Sequence, residues 1–337
     1  MVRAAGARRG HGPSLRTVTT ESDLARAADV IRRGGLVGIP TETVYGLAAD
    51  ATDPVAVRRV FTAKGRPSGH PLIVHLAHAA ELPAWALDVP DSALRLAAAC
   101  WPGPLTLVLR RGPGIAPEAT GGRATVGLRL PDHPIARRLI ELAGVPLAAP
   151  SANRFGRVSP TCAQDVRAEL GAHVDLVLDG GPCAVGVEST IVDLVGERPL
   201  LLRPGGVPVE LVEEVLGGAV EVRDVGPARA SGMLASHYAP GVAVELVAAG
   251  EVAGRAAALL GAGRRVAVLA PPGHPVPRGA LVLEPPATVG DYARSLYRRL
   301  HEADEAGVDV LVAAAPPPEG LGLAVLDRLR RAAAPRD

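Results

Sequence analysis

The chain has 337 residues, of which 48% are hydrophobic and 21% charged, a composition that suits a soluble globular protein of two domains. A formal net charge of +1 excludes a whole-molecule attraction to nucleic acid, and 2% aromatic residues offer few rings for stacking unpaired bases. Three widely spaced cysteines (Cys100, Cys162 and Cys183) form neither a disulfide framework nor a zinc pattern, so a reducing, cytoplasmic compartment is expected.

Residues 1–16 are predicted to be a disordered tail, and a first domain is predicted over 17–222. Helices are predicted over 21–33, 54–63, 91–100, 134–143, 160–170 and 209–216. Strands are predicted over 36–39, 71–76, 105–111, 125–130, 146–149, 175–178, 190–194 and 200–203. Because helices and strands mix without strict alternation, we expect one twisted, mixed sheet flanked by helices.

A linker is predicted over 223–240, where the sequence is polar and broken by glycine and proline. The remainder, 241–337, is expected to form a smaller domain. Its strands are predicted over 242–247, 264–269, 280–283 and 308–313, and its helices over 251–260, 289–306 and 321–332. Regular alternation predicts a Rossmann-like parallel α/β domain. Because no G-x-G-x-x-G follows a strand there, no dinucleotide fingerprint is present.

Lys64 is the single lysine among 36 basic residues, and it lies in a loop with Arg66 and His70. A compact ammonium on a flexible stem suits a phosphate contact or a place beside a reacting group. The alternative is a chance survivor on a solvated loop. If the ammonium is required, exchange for arginine should abolish most activity and leave stability nearly unchanged.

Four polar clusters stand at the ends of predicted strands of the first domain. They are the segment 40–47, the lysine loop 64–70, the segment 149–153, and the segment 186–190 together with 203–206. Each cluster taken alone is typical of an ordinary turn. Their joint occurrence predicts one composite cleft, because ligands of open α/β sheets bind at strand ends.

Six motifs in order resemble the YrdC-like family. They are G-I-P-T-E-T-V-Y-G-L over 38–47, K-G-R over 64–66, W-P-G-P-L-T over 101–106, P-S-A-N over 150–153, E-S-T over 188–190 and L-R-P-G over 202–205. The second domain, behind a linker ending in H-Y-A-P over 237–240, is similar to the family's long form. That form consists of L-threonylcarbamoyladenylate synthases of tRNA modification. The resemblance therefore implies a YrdC-like twisted mixed sheet flanked by helices, followed by the Rossmann-like domain.

The resemblance implies a reaction in which L-threonine, bicarbonate and ATP give threonylcarbamoyl-AMP and pyrophosphate. Lys64 and Arg66 would act in catalysis. The residues implied on the ATP side are Arg66, His70, Thr125, Ser151, Asn153, Ser159, Arg203, His237 and Tyr238. His237 and Tyr238 would cover the nucleotide when the linker over 223–240 folds over the cleft as a lid. Those implied on the threonine side are Thr43, His75, Arg129, Ala149 and Ser189. Ala149 departs from the family's pattern, in which many members have threonine or serine, so a hydroxyl contact is lost there.

Magnesium is expected to accompany ATP, held mainly by phosphates and water, with Glu188 as a weak candidate ligand. Implied partners are ATP, threonine, bicarbonate and a tRNA threonylcarbamoyl transferase complex that receives the product. At most weak contact with tRNA and none with a membrane is expected. Two alternatives stay open: a carbamoyltransferase module that forms carbamoyl-adenylate, and a non-catalytic RNA-binding protein.

Overall fold

The structure, a computed structural model, describes residues 19–222 and 238–335. Its helices are α1 Glu21–Arg32, α2 Pro54–Lys64, α3 Leu82–Trp85, α4 Asp91–Cys100, α5 Pro134–Ala143, α6 Ala163–Leu170, α7 Val209–Leu216, α8 Val252–Gly261, α9 Val289–Glu305 and α10 Leu321–Ala333. The predicted tail and residues 223–237 of the predicted linker lie outside the described residues.

The strands are β1 Val37–Ile39, β2 Gly46–Asp50, β3 Ile73–His75, β4 Ala86–Leu87, β5 Leu105–Arg111, β6 Thr125–Arg129, β7 Leu147–Ala148, β8 Leu176–Val177, β9 Thr190–Asp193, β10 Leu200–Arg203, β11 Glu221–Val222, β12 Ala243–Val247, β13 Val266–Leu269, β14 Leu281–Val282 and β15 Val310–Ala314. The first eleven form one sheet in the order β11-β10-β9-β5-β6-β3-β7-β2-β1-β8, with β4 on β5. Because β3 pairs parallel with β6 while β5 pairs antiparallel with β6, the predicted mixed sheet is confirmed.

The local sequence explains where helix α2 begins and ends. Asp53 caps α2 by accepting a hydrogen bond from the Val55 amide, and Pro54 occupies the first turn. Gly65 ends the helix in the left-handed region, at φ 63°. This termination places Lys64 in the last turn of α2 and starts the loop that leads to β3.

Several element ends in the first domain differ from the sequence-based expectation by one or two residues, and the short elements α3, β4 and β11 were not predicted. Two larger differences have a physical explanation. Residues 40–47 were interpreted as a polar turn after a strand, but Gly46–Asp50 is strand β2, antiparallel to β1 and β7. Its glycine and alanine residues carry no β-branched signal, and tertiary pairing decides its conformation. Helix α6 begins at Ala163 and not at 160, because the Asp165 carboxylate accepts from the Thr161 and Cys162 amides at the helix start.

The second domain contains a four-stranded sheet in the order β12-β15-β13-β14, with every pair parallel, as the sequence predicts. It packs against the first domain through a shared apolar cluster. Val44, Val158 and Val187 of the first domain join this cluster with Leu296 and Tyr297 of α9. The cluster lies immediately beside the polar ends of the first sheet. Among the described residues, no helix has the length and hydrophobicity required to cross a bilayer.

Gly186 gives a test of this domain contact. Its φ is +82°, and an added Cβ would lie 2.4 Å from the Cα of Arg294 on α9. Gly144, which ends α5, also has positive φ (+72°), but an added Cβ there meets nothing within 4 Å. Gly144→Ala should cost about 1–2 kcal/mol of conformational strain. Gly186→Ala should cost more, because the domains must also separate. Urea unfolding of both variants measures the difference, and equal losses would contradict the close contact.

Candidate active site

A cavity of about 40 Å³ lies where the strands of the first sheet end. It is lined by Thr43, Val44, Arg66, Ile73, His75, Arg129, Ala149, Pro150, Ser151, Glu188, Ser189, Arg203 and Tyr238. All four polar clusters contribute to this lining. The structure therefore brings together segments that are more than 150 residues apart in the sequence, as the predicted composite cleft requires.

Arg66 and Arg203 form a cationic group in the wall of the cavity. Arg66 donates from its NH2 to the Pro71 carbonyl (3.2 Å), and Arg203 donates from Nε and NH2 to the Ser189 carbonyl (3.1 and 2.9 Å). Both side chains are buried. Burial lowers the pKa of Arg66 to about 10, which still leaves the guanidinium charged at neutral pH. Both guanidiniums line the cavity, where a bound anion can interact with their positive charge.

A second group in the wall consists of Arg129, His75 and Thr43. Arg129 lies at the end of β6, where its NH2 is 2.6 Å from Glu42 Oε1 and its Nε donates to the Gly103 carbonyl (3.3 Å). Burial and the charge of Arg129 hold the pKa of His75 down to about 3, so the imidazole is neutral. Its Nδ1 has no hydrogen-bond partner among the described residues. Thr43 shares a hydroxyl hydrogen bond with Thr41 (2.8 Å).

Lys64 lies behind the cavity wall, outside the lining residues. Its ammonium is buried and donates to the carbonyls of Ser151 (2.5 Å) and Asn153. Asn153 in turn donates to the carbonyls of Arg154 and Arg157 (2.8 Å each). Burial and the charge of Arg66 lower the pKa of Lys64 well below its usual range. In this arrangement, Lys64 and Asn153 shape the loop that presents Ser151 to the cavity.

The remaining predicted site residues have different positions. Ser159 lies behind the wall and donates to Glu188 Oε1 (2.7 Å). His70 packs edge-on against Phe155 with ring centroids 5.5 Å apart, and it and Thr125 are absent from the lining. Ala149 does line the cavity, where it presents a methyl group. His237 lies outside the described residues, whereas its neighbour Tyr238 is buried and lines the cavity.

Several important side chains were not predicted to belong to the site. Glu42, the partner of Arg129, stands inside a motif that marked the cleft, and that motif was the available signal. Tyr297 and Arg328 of the second domain reach Glu188 with hydrogen bonds of 2.7–2.9 Å. Nothing in the local sequence of α9 or α10 indicates this contact, because it depends on how the two domains pack.

The fold and the cavity define an α/β protein with a buried, arginine-rich site at its strand ends and a small parallel domain packed beside it. A family profile described as Telomere recombination, the Sua5/YciO/YrdC domain, matches residues 29–205. A second, described as Threonylcarbamoyl-AMP synthase, C-terminal domain, matches residues 207–334. The chain belongs to the threonylcarbamoyl-AMP synthase family.

Relatives support this membership over nearly the whole chain. A threonylcarbamoyl-AMP synthase of Pyrococcus abyssi is 43% identical, with 91% of this chain and 92% of that protein covered. One of Bacillus subtilis is 38% identical, with 94% and 95% covered. A structure described as P. abyssi Sua5 complexed with L-threonine matches with a TM-score of 0.87 and 41% identity, covering 93% of this chain and 95% of that one. A double variant of P. abyssi Sua5 matches with a TM-score of 0.89 and 40% identity, with 95% of each chain covered.

The neutral state of His75 predicts a pH-dependent stability. Its pKa is about 3 in the folded chain, against the ordinary 6.5. Below pH 6.5 the unfolded chain therefore binds a proton that the folded chain does not, and stability falls as the pH falls toward 3. Relative to His75→Asn, the wild-type free energy of unfolding should decrease by about 1.4 kcal/mol per pH unit between pH 6 and 4. If the free energies of unfolding of the wild type and His75→Asn, measured with urea, changed in parallel with pH, the buried neutral imidazole would be contradicted.

The burial of Lys64 revises the expectation for Lys64→Arg. A larger guanidinium must enter a closed space beside two carbonyls, so the free energy of unfolding should drop by about 1–3 kcal/mol along with activity. Arg154→Lys, an exchange at an exposed position of the same loop, should change it by less than about 0.5 kcal/mol. Urea unfolding compares the two. Unchanged stability of Lys64→Arg would mean that the ammonium is not enclosed.

Proposed function

We propose that this chain is a threonylcarbamoyl-AMP synthase that condenses L-threonine, bicarbonate or carbon dioxide, and ATP. The amine of threonine combines with bicarbonate to give a carbamate and water. A carbamate oxygen then attacks the α-phosphorus of ATP. The bond between the α-phosphorus and the oxygen that bridges it to the β-phosphate breaks, and pyrophosphate leaves with that oxygen. The product would be passed to a tRNA threonylcarbamoyl transferase complex in the cytoplasm, with at most weak contact between this chain and tRNA.

The observation that carries the proposal is the presence of two groups of buried side chains, each built on arginine, in one cavity. Arg66 and Arg203 supply charge for a triphosphate, and Arg129, whose NH2 is paired with Glu42, presents a buried guanidinium to the carboxylate of an amino acid. A triphosphate beside a small amino acid is the substrate pair of the reaction. His75 adds a neutral ring nitrogen without a partner among the described residues, which suits a polar group of threonine.

Positioning and charge neutralisation would supply most of the catalysis. In-line transfer at phosphorus requires little covalent help from protein, and fixed guanidiniums stabilise charge that develops on the leaving pyrophosphate. Arg203 is held at two atoms by the Ser189 carbonyl, so its orientation is set before substrate binds. Lys64 would act on the reaction through the Ser151 loop, and a direct contact with phosphate remains a prediction from the resemblance.

Tyr238 must move for a nucleotide to enter. The cavity holds about 40 Å³ with Tyr238 in its wall, whereas sites for molecules of this size measure ~300–1,000 Å³. Tyr238 is 1% exposed and lies over Arg328. Displacement of this side chain would open the ATP side, and its return would exclude water from the reaction.

Magnesium would enter with ATP and be held by the phosphates and water. Among the described residues, no group of three or more histidine, cysteine, aspartate or glutamate side chains is placed to hold a metal ion. Glu188, the weak candidate, already accepts hydrogen bonds at both carboxylate oxygens. Glu188 is therefore poorly placed to bind a metal ion. The side chains of this protein that would neutralise the phosphate charge are arginines.

Incubation of the purified chain with ATP, threonine, bicarbonate and magnesium tests the proposal. Pyrophosphate release should require both threonine and bicarbonate. Arg129→Gln should raise the KM for threonine by about tenfold or more, because the carboxylate of bound threonine loses its cationic partner. Threonylcarbamoyl-AMP should be detected by mass spectrometry.

Other outcomes identify the alternatives. Pyrophosphate release that follows carbamoyl phosphate and does not need threonine would indicate the carbamoyltransferase reaction. Tight RNA binding without turnover would indicate a non-catalytic RNA-binding protein. Either outcome would overturn the proposed reaction.

A further inference from the structure

The second domain contacts the wall of the cavity at the carboxylate of Glu188. Its Oε1 accepts from the Ser159 hydroxyl (2.7 Å) and the Tyr297 hydroxyl (2.9 Å). Its Oε2 accepts from the same tyrosine (2.8 Å) and from Arg328 Nε (2.7 Å). Tyr297 belongs to α9 and Arg328 to α10, so two helices of the second domain converge on a residue that lines the site of the first.

Arg328 provides charge that Glu188 requires. The arginine side chain is 0% exposed and the carboxylate 8%, so neither group is stabilised by bulk water. Burial by itself would raise the pKa of Glu188, but the charges of Arg328 and Arg203 and the Ser159 hydrogen bond hold it near 2. The carboxylate is therefore ionised at neutral pH. Without Arg328 the negative charge of Glu188 would be less well neutralised, in the wall where a triphosphate must bind.

Arg328 is also fixed to the loop that carries Arg203. Its NH1 donates to the carbonyl of Pro204 (3.0 Å) and to Asp327 (2.5 Å). An added Cβ at Gly205, the next residue in that loop, would lie 2.3 Å from the Glu188 carbonyl oxygen. The two backbone segments are thus in close contact, and Arg328 bridges them from outside the first domain.

The same two residues form the surface on which Tyr238 lies. The Tyr238 ring stacks on Tyr297 with centroids 5.8 Å apart, and the Arg328 guanidinium carbon lies 5.1 Å from its centroid. The NH2 of Arg328 has no hydrogen-bond acceptor among the described residues, and a cation over a tyrosine face is a favourable alternative. The position of Tyr238 and the charge of Glu188 therefore depend on one pair of side chains.

We propose that Tyr297 and Arg328 are positioning residues for ATP, through which the second domain completes the nucleotide side of the site. Arg328 neutralises Glu188 so that Arg66 and Arg203 can act on the phosphates. Tyr297 fixes the carboxylate and, with Arg328, seats Tyr238. This inference rests on the proposed synthase function and assigns a role to a domain that its sequence marks only as Rossmann-like.

Charge replacement at Arg328 gives the main test. Arg328→Gln should raise the KM for ATP by about tenfold or more, while the KM for threonine changes less than about twofold, because the unbalanced charge repels the triphosphate. The double variant Glu188→Gln/Arg328→Gln should recover part of the ATP affinity, because the offending charge is removed. Arg328→Lys should have an ATP affinity between those of the wild type and Arg328→Gln, because lysine keeps the positive charge but lacks the paired N–H donors of a guanidinium.

A matched pair on α9 separates positioning from general stability. Tyr297→Phe removes the two hydrogen bonds to Glu188 and keeps the ring under Tyr238, so it should raise the KM for ATP several-fold. Tyr292→Phe removes a buried hydroxyl from the same helix, one that donates to the Ala314 carbonyl (2.9 Å) and not to Glu188. It should lower stability by a similar amount and leave the KM for ATP at the wild-type value.

Binding of α,β-methylene-ATP, measured by calorimetry on the full chain, keeps this test independent of turnover. If threonine-dependent pyrophosphate release fails in the wild type but Arg328→Gln still weakens binding of the analogue, the proposed reaction is wrong and the positioning role stands. Wild-type analogue affinity in Arg328→Gln and Tyr297→Phe would overturn the inference. So would a folded double variant no better than Arg328→Gln. If Arg328→Gln fails to fold, the Tyr297→Phe and Tyr292→Phe pair decides the result.

Discussion

The burial of arginine side chains at the strand ends is the constraint on which the rest of this structure depends. A buried guanidinium must satisfy its N–H groups, and the chain does so largely with main-chain carbonyls. Arg66 donates to Pro71, Arg129 to Gly103 and Arg203 to Ser189. These carbonyls satisfy hydrogen bonds without cancelling charge, although Arg129 is also paired with the Glu42 carboxylate. The cavity is therefore both well ordered and able to attract anions, although the whole molecule has a formal net charge of only +1.

This arrangement explains why the second domain matters to the chemistry of the first. A cavity built to bind anions cannot tolerate a free carboxylate, yet Glu188 lies in its wall. The carboxylate is useful because it orders Ser159 and anchors the loop before β9. Its charge is balanced across the domain boundary by Arg328. The domain contact is thus electrostatic at the site and apolar around it, where Val44 and Val187 pack with Leu296.

Much of the architecture could be predicted from local pattern. Helix α5 was located by apolar residues at helical spacing, and the parallel sheet of the second domain by its alternation of strands and helices. Strand β2 was not predicted because Gly46–Asp50 contains no β-branched or aromatic residue, and only pairing with β1 and β7 makes it a strand. The solitary lysine did mark the site region. Its burial behind Ser151 could not be read from composition, because a loop lysine is ordinarily solvated.

The amino-acid sequence by itself determined the family, the mixed and parallel sheets, and the polar strand ends that meet in one cavity. These features follow from periodicity, from caps and from short motifs, each of which acts over a few residues. Only the tertiary structure decided that Lys64 supports a loop from behind the wall, that Glu42 partners Arg129, and that Tyr297 and Arg328 hold Glu188. Such contacts join residues 87 to 140 positions apart in the sequence. Their pairing depends on how the elements pack, so no local sequence pattern predicts it.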